Sequence, residues 1–140
     1  MTQSSKKGIK MKEIVQTDRV MRSESYGFSQ AVKARGKTIV FVSGQNGVDA
    51  KGNMVGKGDI EAQTKQALEN IKALLEATGA TLDDVVKITV FITNMEDMDK
   101  VRKVRRQYFK RRFPASTAVE VKNFGLKDAL IEVDAIAVIE

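Results

Sequence analysis

The chain has 140 residues, 42% apolar and 30% charged, and contains neither cysteine nor histidine. That removes thiol nucleophiles, Cys/His zinc sites and histidine general bases, and leaves carboxylates, hydroxyls, Lys, Arg, backbone groups and bound water to do any chemistry. The net charge of +6 is concentrated between Lys100 and Arg112, where Lys100, Arg102, Lys103, Arg105, Arg106, Lys110, Arg111 and Arg112 occur without an acid.

The length suits one domain with a real hydrophobic core and no need of disulfides or metal. Residues 1–12 are polar and lysine-rich and lack the apolar stretch of a signal peptide. They are expected to form a flexible tail, with the domain running over 13–140. No apolar run approaches the ~18 residues of a membrane helix. A cytoplasmic protein without membrane contact is expected. No Asp/Glu cluster has calcium-loop spacing, so no metal or cofactor is expected.

Residues 13–17, 25–33 and 38–43 read as strands, the last through its β-branched and aromatic run Ile39-Val40-Phe41-Val42. Gly36-Lys37 suggests a tight hairpin between the second and third. Asp49 to Gly58 holds three glycines and an Asn. It predicts a loop, with room for a small hairpin of its own. Over 59–78, Ile60, Thr64, Ala67, Leu68, Ile71, Leu74, Leu75 and Thr78 recur at helical spacing. Asp59 is the expected N-cap and Gly79 the left-handed residue after the C-terminus.

A strand is predicted over 84–93, with Val86, Ile88, Val90 and Ile92 on one face and Val85, Lys87, Thr89 and Phe91 on the other. Asn94 and Asp97 suggest a capping box for a second helix. Its stripe is Met98, Val101, Val104 and Tyr108, extending to Arg112, and Pro114 stops it near Phe113. Strands follow at 117–121 and 130–139. The order is β-β-β-α-β-α-β-β, an α+β domain with two helices on one face of a mixed sheet. The other face keeps Val85, Phe91, Ile136 and Val138. A monomer rarely exposes such a patch, which predicts a homo-oligomer burying it.

Several segments, weak singly, recur together in one order: Ser29-Gln30, Phe41-Val42-Ser43-Gly44-Gln45, Gln66 to Ile71, Ala77 to Ala80, Asp84 to Phe91, Phe113-Pro114-Ala115, Val119-Glu120-Val121 and Ile131 to Val138. In this arrangement the chain resembles the Rid family of reactive-intermediate deaminases, the YjgF type with the older label L-PSP endoribonuclease, over about Phe28 to Val138. The resemblance implies a chorismate-mutase-like (bacillus-type) fold. It also implies a homotrimer whose sheets form a central barrel, and small-molecule clefts between subunits. Typical members hydrolyse imines or enamines of amino acids to 2-oxo acids and ammonia, as 2-iminobutanoate/2-iminopropanoate deaminases do. The ligand expected here is a carboxylate, imine or carbonyl compound.

By the same resemblance Glu132 holds and polarises the attacking water. The alternative for Glu132 is pairing with Lys87 or Lys122. The ligand-binding residues implied are Phe28, Ser43, Gly44, Ser116, Thr117 and Ala118. Two positions depart from the family pattern. Ser116 stands where catalytic members carry an arginine that grips the substrate carboxylate, and Phe28 stands where a tyrosine is usual. Weak or altered activity is therefore expected, or a non-catalytic ligand-binding trimer. Arg111 and Arg112 are the basic residues nearest in sequence to Ser116. The basic segment could also track RNA, but only Tyr108 and Phe109 interleave it as stacking aromatics. It reads rather as the solvated side of an outer helix.

Overall fold

The computed structural model describes residues 10–140. Six strands and two α-helices alternate as the sequence predicts: β1 Met11–Val15, β2 Ala31–Arg35, β3 Thr38–Gln45, α1 Ile60–Ala77, β4 Val85–Ile92, α2 Met98–Tyr108, β5 Ala115–Glu120 and β6 Ile131–Ile139. β1 begins at Met11, so two residues of the expected tail belong to the domain; residues 1–9 lie outside the described residues.

The strands form a two-stranded sheet, β1-β2, and a four-stranded sheet ordered β3-β6-β4-β5. β6 runs antiparallel to both neighbours and β5 parallel to β4. A parallel pair needs a crossover, and α2 supplies it. β2 and β3 lie in different sheets, so Gly36-Lys37 is a corner and not a hairpin. Gly36 passes so close to the C-terminal strand that a Cβ there would stand 2.5 Å from the Ile139 carbonyl oxygen.

Local chemistry explains the helix limits. The Asp59 carboxylate accepts the Ala62 amide at 3.1 Å, and Gly79 takes φ 85° just after α1. Asn94 caps a 3-10 turn, Met95–Asp97, by accepting the Glu96 amide at 3.0 Å; no side chain caps α2 itself. The capping box forms instead between Thr81 and Asp84. α2 ends at Tyr108, five residues before the expected stop, because Phe109 leaves helical geometry and is only 4% exposed in the core. Residues 49–58 close a small turn of their own, with a bridge between Val48 and Met54 and the Asp49 amide donating to the Asn53 carbonyl at 2.9 Å.

Both helices cover one face of the four-stranded sheet. Leu68, Ile71 and Leu75 of α1 and Met98, Val101 and Val104 of α2 pack with Ile88, Val90, Ile92, Ile131, Val133, Ala135 and Ala137. One register detail corrects the expected alternation. Val85 pairs with Ala137 but Lys87 with Ile136, so β4 bulges by one residue there. Val85 thus turns into the core and is fully buried. The uncovered face retains Phe91, Ile136, Val138 and Val119, with Ile39 and Phe41 at 58% and 74% exposure.

β1 is tied to the turn before β4. Lys10 Nζ lies 2.5 Å from the Asp84 carboxylate, which also accepts the Thr81 amide at 2.8 Å. Burial alone would raise the Asp84 pKa; the Lys10 and Thr81 contacts outweigh it and hold it below the usual carboxylate value. Such a group adds stability above its unfolded pKa, and the contribution is lost as pH falls through the folded one. Asp84→Asn is expected to unfold at lower urea than the native chain at pH 6, with the gap closing as pH drops below about 4; equilibrium unfolding at a series of pH values measures it.

Candidate active site

Glu132 lies on the uncovered face of β6, in register with Phe91 of β4. Its carboxyl occupies the space above Gly44, where a Cβ would stand 2.5 Å from Glu132 Cδ. β3 is irregular between Val42 and Gln45, which brings Gly44 against that carboxylate. Among the described residues Glu132 takes part in no ion pair. Lys87, the cross-sheet partner considered for it, donates instead to Thr117 Oγ1 at 2.5 Å.

The loops around Glu132 are held by side-chain amides, one buried and two half-buried. Gln63 is fully buried and satisfied: its nitrogen donates to the Gly56 and Asp128 carbonyls and its oxygen accepts the Leu130 amide at 2.9 Å. Asn46 donates to the Ile131 carbonyl at 2.9 Å, and Asn70 to the carbonyls of Asn46 and Val48. These bonds fix the end of β3 and the start of β6, which carry Ser43, Gly44 and Glu132. Ser43 itself is exposed.

Ser116, Thr117 and Ala118 lie on β5, in register with Ile88, Thr89 and Val90. Residues in register project to the same side, so Ser116 and Ala118 share the helix side and Thr117 the uncovered side. Ser116 is half-buried and the other two are exposed. Phe28 approaches the same edge, because Ser29 bridges to Ala115, donates its amide to the Pro114 carbonyl at 3.1 Å and donates its hydroxyl to the Phe113 carbonyl. The expected strand over 25–33 is shorter than read. Glu24–Tyr26 form a 3-10 turn, and Gly27 at φ 78° ends it. Tyr26 and Phe28 therefore share no strand face; their rings meet tilted at 34°, 6.4 Å apart.

The expected site residues thus fall into two groups. Ser43, Gly44 and Glu132 belong to β3 and β6; Phe28, Ser116, Thr117 and Ala118 gather at β5. β3 and β5 are opposite edges of the sheet. Three strand spacings, roughly 14 Å, separate them.

Neither Arg111 nor Arg112 reaches Ser116. Arg111 borders the groove between α1 and α2, and Arg112 donates to the Lys12 carbonyl. The basic residue at Ser116 is Arg105, from the middle of α2. Its Nη1 lies 3.4 Å from Ser116 Oγ and its Nη2 donates to the Tyr26 carbonyl at 2.7 Å. It is only 3% exposed, and its Nε is buried without a partner. Burial first, then Arg102 and Arg106, pull its pKa down to about 10, so it remains a cation at neutral pH. The basic run concealed this residue in the sequence. Its spacing was the available signal, since Met98, Val101, Arg105 and Tyr108 follow one helical stripe.

The family described as Endoribonuclease L-PSP matches residues 20–139. A RutC family protein of Pyrococcus horikoshii is 45% identical over 127 residues, covering 91% of this chain and 98% of the relative. The human 2-iminobutanoate/2-iminopropanoate deaminase is 35% identical, covering 79% of each chain. Among solved structures, a Rid-family protein of unknown function from Yersinia pestis aligns with a TM-score of 0.85 at 28% identity, covering 91% of this chain and 98% of that one. The YjgF gene product of E. coli aligns at 0.66 with 37% identity, covering 73% and 81%. On the extent of these matches and the shared architecture, the chain belongs to the Rid family, the YjgF and L-PSP type.

Proposed function

We propose that this protein is an imine or enamine deaminase whose clefts form where copies of the chain meet. Water adds across the C=N carbon of a small amino-acid-derived imine, and loss of ammonia leaves the 2-oxo product. The reading is supported chiefly by the separation of the two residue groups. Glu132 with Ser43 and Gly44 lies at one side of the sheet, Ser116 to Ala118 with Phe28 at the opposite edge. A second copy placing its β5 edge beside the first copy's β3–β6 side would unite them. The apolar uncovered face gives copies a reason to associate. A trimer closing its sheets into a barrel, in the chorismate-mutase-like manner, would bury that face and form three clefts.

In this cleft Glu132 holds the attacking water and takes its proton. Its carboxylate is suited to the task because no cation among the described residues pairs with it and Gly44 leaves it room. Backbone groups of Ser43 and Ala118 polarise the bound ligand. Relatives from human and from Salmonella typhimurium carry the name 2-iminobutanoate/2-iminopropanoate deaminase, which supports the substrate class.

An RNA-directed role has less support. Within the basic segment, Arg102 pairs with Asp99, Lys103 with Glu61, and Arg105, Arg106 and Arg112 donate to backbone carbonyls. These cations are engaged inside the chain.

Imines generated in situ by an amino-acid oxidase, with ammonia release followed above background, test the reaction. Glu132→Gln is expected to slow it by about 10²–10⁴-fold, and release at the uncatalysed rate by the native protein would refute the reading. Gly44→Ala is expected to displace the Glu132 carboxylate and slow hydrolysis. It should also cost about 1–3 kcal/mol of stability by overpacking. That cost should shrink in a Glu132→Ala background, a coupling a double-mutant cycle measures. Phe41→Lys is expected to dissociate a species of three times the chain mass, as read by light scattering.

A further inference from the structure

Arg105 presents an unsolved charge. No carboxylate of the described residues lies within ion-pair distance of it, and residues 1–9 contain no Asp or Glu. Arginine is almost never fully buried without a partner, because an uncompensated charge in a low-dielectric interior is strongly disfavoured. Here both nearby side-chain cations, Arg102 and Arg106, worsen the imbalance. The guanidinium has five N–H donors; one meets the Tyr26 carbonyl, one makes a long contact to the Ser116 hydroxyl, and the Nε–H meets nothing. A carbonyl and a hydroxyl carry no net charge.

The surroundings define the kind of anion that would balance this charge. Thr64, Leu68, Ile88, Val90, Val101 and Val133 pack along the Arg105 side chain, and its Nη1 points to Ser116 Oγ. Ser116 is half-buried at the β5 edge, where it meets both solvent and the guanidinium. One desolvated cation beside one hydroxyl balances a single negative charge. The planar fork with free donors matches a carboxylate, a geometry a lysine would not offer.

We propose that Arg105, projecting from α2, grips the carboxylate of the ligand at Ser116. The proposal rests on the cleft and reaction inferred above, with their carboxylated imine ligand, and adds the residue that binds the carboxylate: an arginine from α2 where catalytic members carry one on the strand. The cation comes from a helix, and Ser116 is the small residue that leaves it space. Arg105 is a binding residue; Glu132 remains the group acting on water.

The test compares 2-oxobutanoate with its uncharged amide, by calorimetry on the native oligomer. The native protein is expected to prefer the acid by ~10-fold or more. Arg105→Met should abolish that preference while keeping affinity for the amide, and Arg105→Met combined with Ser116→Arg should restore it. An unchanged preference in Arg105→Met overturns the proposal, as does equal loss of both ligands, which marks a purely structural arginine. The Arg105 Nε–H resonance of the native protein gives a second readout independent of any substitution: it should move on titration with the acid and not with the amide, and a stationary signal with the acid overturns the proposal. Acid preference through Arg105 without imine hydrolysis would remove the reaction reading alone. Hydrolysis with acid preference untouched by Arg105→Met would remove this inference alone.

Discussion

Covering one face of the four-stranded sheet and not the other is the constraint on which the rest depends. Two helices suffice to bury Ile88, Val90, Ile92, Ile131 and Val133. Among the described residues nothing covers Ile39, Phe41 and Val119, which stay exposed. A sheet with two apolar faces and one layer of helices has a built-in demand for a partner surface. The same asymmetry sorts the polar residues. Glu132 and Thr117 face the uncovered side, while Ser116 faces the helices and meets Arg105 there.

Much of this architecture was legible in the sequence. The long helix could be read because its apolar positions, Asp59 and Gly79 all agree on the same limits. The strands β4 and β6 could be read because each carries a run of β-branched residues with a period of two. The uncovered apolar face followed from that alternation, although the one-residue bulge at Val85 moved that side chain into the core. No period-two pattern can register a bulge in advance, since it shifts the phase without changing composition.

Other features depended on tertiary contacts. The stretch from Ser25 looks extended, but Gly27 in a left-handed conformation folds it into a turn against α2. Pro114 marked a limit for the second helix; the burial of Phe109 imposed an earlier one. The candidate site was legible as a set of residues and not as a place. The sequence order says nothing of which strand lies at which edge, and that ordering puts Ser43 and Ser116 on opposite sides of the sheet. Arg105 was hidden by its neighbours, because in a run of eight cations no single one stands out by type.

The basic segment turns out to be a clasp. Arg105, Arg106 and Arg112 reach the carbonyls of Tyr26, Ser25 and Lys12, drawing the turn at Gly27 onto the second helix and the first strand onto the segment that follows it. All three ties use guanidinium donors and neutral acceptors. Guanidinium groups do not deprotonate in the physiological range, and lysine acetyltransferases do not touch them. These three ties are therefore links that neither acidification nor lysine modification can release, unlike the contact between Lys10 and Asp84.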